Sequence, residues 1–413
     1  MLGLVLEGGG ARGAYQIGAC KALREMGVEF SAITGTSIGA INGAILAQGN
    51  LEKAYELWYN ITPSQLFDVR EEYLEALKKF ELKEESISYF LNLAKDILNN
   101  RGLNTAQMRE FLSANISEEK IRQSGILYGL VTISLTDRKP VEIFLENIPP
   151  GLLIDYIMAS AGLPIFRLDK FDGKDYLDGG FYNNVPINML YARGYKEIIA
   201  IRTHTLGRII QVRESDLSLT TIEPDDSLGG ILDFSQDGAR KNLLLGYFDA
   251  YKVFQRLKGQ LYYIKAELSE EEFKEFLLAL GENAISKGAD VLGISTNRST
   301  RKRLTSLLLK INELSIWKNA GLFESAVLSL CEALAKHYEI DRYQIYSFQE
   351  LLIILAEKYH SEALLNNKLE PEAPPLVITR LLTAKRRQEL LEAVAKAILG
   401  DYFDRLLAIK NDR

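Results

Sequence analysis

Cysteine and histidine are scarce: two and three residues in a chain of 413. Cys20 and Cys331 lie far apart, so neither a disulfide framework nor a Cys-x-x-Cys metal spacing is available. Free thiols suit a reducing compartment. Cys20 falls in an apolar, helix-like stretch and reads as a small core residue rather than a reactive one. No metal and no cofactor is expected. A basic excess is also missing. Lys and Arg number 49 against 55 Asp and Glu, for a net charge of −6, which does not suggest the basic, clustered footprint of a nucleic-acid binder. An acidic total still leaves room for transient contact with a membrane surface through a local patch. Long apolar runs are absent. The longest weakly charged stretch, residues 32–48, is interrupted by glycines, Thr34, Thr36, Ser37 and Asn42, and reads as a strand, turn and helix, not a membrane span. The start, Met1 to Glu7, has no basic region ahead of its apolar residues, as a signal peptide would. The expectation is a soluble cytoplasmic protein.

What is present is ordinary globular material, 47% hydrophobic and 25% charged. The length suits one large domain with a smaller appendage. Apolar residues at 2–6 predict a buried strand. Gly8-Gly9-Gly10 forms a loop, and residues 14–26 repeat with helical spacing up to Gly27. A second strand, 30–33, leads into Gly35-Thr-Ser-Ile-Gly39 and a helix over 40–47. This order implies a parallel sheet covered by helices. Further strands are predicted at 127–135, 141–145, 197–202 and 261–264, and helices at 104–112, 152–159 and 237–257. Beyond about residue 266, Glu, Lys, Leu and Ala dominate with helical periodicity. The expected organisation is a catalytic α/β domain over 1–265 and an all-helical domain over 266–413.

Three segments carry chemistry. Gly35-x-Ser37-x-Gly39 stands between a predicted strand and a predicted helix, the setting of a nucleophile elbow, in which the serine occupies a sharp turn and its neighbours two residues away must be small. The same five-residue pattern also arises by chance, so the strand–turn–helix setting gives it weight. The following helix points its positive end at the reaction centre. The second segment, Gly8-Gly9-Gly10-Ala11-Arg12-Gly13, exposes backbone N–H groups able to hold an oxyanion, with the Ile38 N–H as a further donor. Gly8-x-Gly10-x-x-Gly13 also matches a dinucleotide fingerprint. That reading ranks lower because the second strand ends in Gly35-Thr36-Ser37 instead of an acidic residue. A Walker loop fails for want of Gly-Lys-Ser/Thr. The third segment is Asp178-Gly179-Gly180. A serine needs a base, and an aspartate can serve at neutral pH when it is partly desolvated. Asp-Gly-Gly alone is equally a plain turn. His204 follows a predicted strand, and the order Ser37, Asp178, His204 leaves a catalytic triad open. His337 and His360 fall in the helical region.

Taken together, the glycine loop, the elbow and the distal Asp178-Gly179-Gly180 resemble the patatin-like phospholipase family. Ala159-Ser-Ala-Gly-Leu-Pro164 and the bacterial-type pattern Asn242…Gly246-Tyr-x-Asp249-Ala250 support the resemblance, which covers about residues 1–265. It implies a patatin-like α/β/α layered fold with a mainly parallel sheet. It also implies a Ser37–Asp178 dyad without a catalytic histidine, and an oxyanion hole from Gly8, Gly9, Gly10 and Ile38. Arg12, Gly13, Gly35, Gly39, Gly179 and Gly180 would support the site, with Arg12 holding the loop or meeting a lipid phosphate. The implied activity is that of a phospholipase or lysophospholipase releasing fatty acid. An acyltransferase using the same acyl-enzyme is one alternative, and a lipid-sensing scaffold another. Residues 73–98 read as core helices or a lid, and the basic clusters 298–303 and 385–387 as solvated faces or contacts to anionic lipid.

Overall fold

The computed structural model describes residues 1–66, 103–164, 166–167, 170–295, 299–315, 321–365 and 383–411. The expectations for residues 73–98 and for Arg298 fall outside these residues. The chain divides into two compact units, Met1–Gln255 and Arg256–Arg413.

In the first unit seven strands form one sheet: β1 (Leu2–Leu6), β2 (Ala32–Thr36), β3 (Leu127–Ser134), β4 (Lys139–Phe144), β5 (Tyr176–Asp178), β6 (Glu197–Ile201) and β7 (Ser218–Ile222). Their order is β4-β3-β2-β1-β6-β7, with β5 paired to β3. The pairs β3–β2, β2–β1, β1–β6 and β6–β7 are parallel. Both β4 and β5 run antiparallel to β3. The central strands show no polar alternation: Leu4, Val5, Leu6, Ala32 and Ile33 are all buried. Burial on both faces explains this. Leu6 and Ile33 meet helix α2 (Ile38–Ala47) at Gly43. Val5 and Ala32 instead share a core with Ile187 and Leu190 of a short helix, Ile187–Ala192. Successive strand residues point to opposite faces, so helices cover both sides and the unit is an α/β/α layering.

Helix α1 (Gly13–Glu25) follows the glycine loop and packs on the long helix Gln236–Phe254. The contact is backbone on backbone. A Cβ on Gly18 would lie 1.9 Å from the Leu243 carbonyl oxygen, and one on Gly246 1.9 Å from that of Tyr15. Beside it the Tyr15 hydroxyl donates to buried Asp249 at 2.8 Å, and Asn242 Nδ2 donates to the Leu228 carbonyl at 2.9 Å. The Asn…Gly-Tyr-x-Asp pattern thus has a packing cause.

Among the described residues of the second unit six helices span Glu270–Ala279, Glu282–Val291, Thr300–Leu314, Leu322–His337, Phe348–Leu365 and Ala384–Asn411. Their core includes Phe273, Ile311, Cys331, Leu355, Val394 and Phe403. Helix Leu322–His337 is buried from Ser325 through Ala335, which marks it as the central one. The helical periodicity gives no hint of one further feature. Tyr263–Lys265 pairs in parallel with Ile345–Ser347, so the strand expected to close the first domain belongs to the second unit. Among the described residues no helix is long and apolar enough to cross a membrane.

Candidate active site

The strand β3 acts as a ruler for the site. Thr36, the last residue of β2, lies opposite Val131, and the next residue of β3, Thr132, lies opposite Asp178 of β5. Residues 37 and 178, remote in sequence, are therefore delivered to one end of the sheet by adjacent register positions. Ser37 occupies the turn between β2 and α2 with φ 55° and ψ −123°. A positive φ at a residue bearing a Cβ is strained and persists only where its surroundings enforce it. The flanking glycines show how. A Cβ on Gly35 would lie 2.2 Å from the Gly39 carbonyl oxygen, and one on Gly39 2.2 Å from that of Leu6. The Ser37 N–H is held by buried Ser160 Oγ at 2.9 Å.

Asp178 is 3% exposed and Ser37 9%. Burial pushes the Asp178 carboxyl up to about 6, against the smaller opposing effects of the Ser37 hydroxyl and the Gly180 N–H. Oδ1 accepts the Gly180 N–H at 2.7 Å. Oδ2 is buried and has no hydrogen-bond partner among the described residues. The serine hydroxyl thus stands close enough to oppose the shift of the carboxyl without closing a bond to Oδ2. A Cβ on Gly179 would strike the Val131 carbonyl at 2.2 Å, so the turn after Asp178 lies against β3.

The glycine loop departs from the sequence expectation at one position. The Gly8 N–H donates to the Asn184 carbonyl at 3.1 Å and is not free for an oxyanion. Gly8 is thereby corrected from donor to anchor, because the end of β1 is stitched to the segment after Asp178. No hydrogen bond within the described residues occupies the N–H groups of Gly9, Gly10 or Ile38. Gly10 takes φ 57° with a Cβ position 2.0 Å from the Ile231 carbonyl oxygen, which only glycine tolerates. Arg12 reaches the carbonyls of Gly229 (2.8 Å), Thr203 (3.2 Å) and His204 (3.0 Å), fastening the loop to two others. Gly13 abuts Ile38, and its carbonyl accepts from Asn42 Nδ2 at 2.9 Å.

His204 has a half-exposed side chain paired with Glu223 at 3.3 Å, and it does not orient Asp178, whose Oδ1 partner is Gly180. His337 and His360 sit in the second unit with Glu362 and Asp404 as partners. Among the described residues no group of three or more His, Cys, Asp or Glu side chains is disposed to hold a metal ion.

A narrow apolar cavity of about 60 Å³ opens on Ser37, Ile38 and Gly10 and runs between Ile41, Ile45, Trp58 and Leu112. Its one buried amide, Asn42, ties three helices together. It donates to Gln16 Oε1 and the Gly13 carbonyl, and it accepts from Trp58 Nε1 at 2.9 Å. Local sequence gives no role in the site to Asn42, Ser160, Glu7 or Asn184. A polar residue inside an apolar stretch, as Asn42 is, was the available signal.

The family model of patatin-like phospholipases matches residues 4–191. Residues 4–191 of the chain are thus similar to patatin-like phospholipases. Rat patatin-like phospholipase domain-containing protein 7 is 29% identical over 203 residues, 48% of this chain and 13% of the relative. Human patatin-like phospholipase domain-containing protein 6 is 30% identical over 207 residues, again 48% and 13%. Lysophospholipase NTE1 of Yarrowia lipolytica is 29% identical over 201 residues, 48% of this chain and 12% of its own. The matched region is thus a small part of each of these relatives. The crystal structure of VipD from Legionella pneumophila aligns over 96% of this chain and 90% of its own, at 15% identity and a TM-score of 0.39.

Proposed function

We propose that the first unit is a lipid acyl hydrolase, cleaving carboxylic esters of phospholipids or lysophospholipids with Ser37 as nucleophile and Asp178 as its base. The observation that carries the reading is the buried, half-satisfied Asp178 carboxylate delivered beside a strained serine by adjacent register positions. The names of the relatives, phospholipase and lysophospholipase, support the substrate class.

Each step follows from what surrounds the pair. Asp178 takes the Ser37 proton as Oγ bonds to the ester carbonyl carbon. The carbonyl electron pair moves onto oxygen, where the N–H groups of Gly9, Gly10 and Ile38 stabilise it, each at about 2.7–4 kcal/mol of barrier. Collapse expels the alcohol oxygen, which takes the proton from Asp178. Water then attacks the acyl-enzyme, giving its proton to Asp178 and releasing the fatty acid as Ser37 recovers its own. The narrow apolar cavity beside Ser37 takes the few methylenes of the acyl chain next to the carbonyl. Substrate would be met by transient contact with a lipid surface.

The test is a panel of phospholipids and lysophospholipids offered to wild type, Ser37→Ala, Asp178→Asn and His204→Ala. Expected are complete loss at Ser37, a fall of about 10²–10⁴-fold at Asp178, and wild-type rates at His204. Ser37→Ala retaining activity refutes the reading. Loss at His204 equal to that at Asp178 restores a triad. Adding an alcohol acceptor separates hydrolysis from acyl transfer by its products.

A further inference from the structure

Among the described residues of the first unit, the most heavily bonded buried group outside the dyad is the Glu7 carboxylate. It is fully buried and accepts from Arg202 Nε (2.9 Å), the Thr203 N–H (2.6 Å), the His204 N–H (3.2 Å) and Asn184 Nδ2 (3.3 Å). Nothing in the proposed reaction uses it. Five donor contacts, counting the second from Arg202 at 3.3 Å, hold a buried charge in one place. Such a group is a fixed anchor rather than a base, because its lone pairs are already committed.

Asn184 connects this anchor to both halves of the site. Its carbonyl accepts the Gly8 N–H at 3.1 Å, and its own N–H donates to the Arg208 carbonyl at 2.6 Å. Arg208 in turn donates its N–H to the Gly180 carbonyl at 3.1 Å, and the Gly180 N–H holds Asp178 Oδ1. The Asn184 side chain lies between the two glycine segments. A Cβ on Gly8 would lie 2.2 Å from Asn184 Oδ1, and one on Gly180 2.9 Å. The neighbouring Asn183 carbonyl accepts from Thr36 Oγ1 at 2.8 Å, one residue before the nucleophile. The glycine loop, the aspartate turn and the end of β2 thus converge on two consecutive asparagines.

We infer that Asn184, braced by Glu7, is a positioning residue that fixes the oxyanion loop relative to the Asp178 turn. It touches neither substrate nor the reacting atoms. It sets the distance between the donors that receive the negative charge and the base that receives the proton. A shift of about 1 Å in such a distance can cost about a hundredfold in rate. The inference rests on the ester-hydrolase reading of the same site.

The experiment compares the full chain as wild type, Ser37→Ala, Asn184→Ala, Asn184→Asp, Glu7→Gln and the double variant Asn184→Asp/Glu7→Gln. Each is assayed on a soluble aryl ester and on lysophospholipid, with urea unfolding run alongside. Asn184→Asp sets a second carboxylate against Glu7. It should lower kcat by about 10- to 100-fold with KM nearly unchanged. Removing the opposing charge in the double variant should return most of that loss, because the two positions are in contact and couple. Asn184→Ala keeps the backbone bonds but drops the brace, and should show an intermediate fall in kcat. If Asn184→Asp does not unfold cooperatively, Asn184→Ala decides the matter by itself. Wild-type kcat in the alanine variant overturns the inference. So does a loss in Asn184→Asp that the double variant leaves in place, or one that appears in KM and unfolding midpoint but not in kcat. If Ser37→Ala hydrolyses as wild type does, the catalytic reading itself fails and this inference with it. If Ser37→Ala is inactive while both Asn184 variants match wild type, only this inference fails.

Discussion

Asp178 is buried, where its charged form is disfavoured, and its carboxyl is pushed up to about 6 from 3.8. Two consequences follow, with opposite value to the protein. In its proposed role as base Asp178 works only when ionised, so kcat/KM for ester hydrolysis should rise through about pH 6 and level off above it. A pH–rate profile flat from 4.5 to 7.5 would contradict the assignment. For stability the sign runs the other way. The folded state holds a proton on Asp178 that the unfolded chain gives up between about pH 4 and 6, so stability declines as pH rises across that interval. At about 1.4 kcal/mol per pH unit, the full cost above pH 6 is about 3 kcal/mol. Asp178→Asn keeps an acceptor for the Gly180 N–H and removes the buried charge. It should therefore unfold at higher urea than wild type at pH 8, by up to about 3 kcal/mol, with the gain gone at pH 4. The same variant should lose about 10²–10⁴-fold in rate. An equal or lower stability at pH 8 would show that Asp178 carries no burial cost.

At the scale of elements, the crossing of α1 with Gln236–Phe254 is set by two glycines rather than by interleaved side chains. Gly18→Ala or Gly246→Ala places a methyl group within 1.9 Å of a backbone oxygen that cannot rotate aside. Helix propensity alone would favour alanine by about 1 kcal/mol, and the collision outweighs it. Overpacking of this kind costs about 1–3 kcal/mol and more where backbone must move. Both variants should lose unfolding free energy, and either one matching or exceeding wild type would show that the helices separate easily. The sequence made such elements legible to different degrees for physical reasons. Central strands β1 and β6 stood out because burial on both faces leaves an unbroken apolar run. The edge strand β7, Ser-Leu-Thr-Thr-Ile, was missed because its pattern is largely polar and only Ile222 is buried. Ser37 and Asp178 were legible from glycine spacing. Glu7 and Asn184 were not, because their roles come from register and from contacts nearly two hundred residues apart. The Gly8 donor was misassigned for the same reason, since nothing local reports that Asn184 takes its N–H.

At the scale of the whole molecule, the two cysteines are placed one in each unit, Cys20 in the first and Cys331 in the second. Both are buried, and burial pushes each thiol up to about 12. Only the thiolate reacts with disulfide reagents, so native protein at pH 8 should titrate with no fast-reacting thiol. In denaturant each cysteine reports the opening of its own core. Cys20→Ala and Cys331→Ala leave a single reporter apiece, and alanine suits both sites because the cysteines act there as small apolar residues. The units have separate cores, one built around a parallel sheet and one around the helix Leu322–His337. A chain of this kind is not expected to unfold in one step. Thiol reactivity followed against urea should therefore give two midpoints, one for each single-cysteine protein. A shared midpoint, also seen by circular dichroism, would show that the two cores open as one cooperative unit.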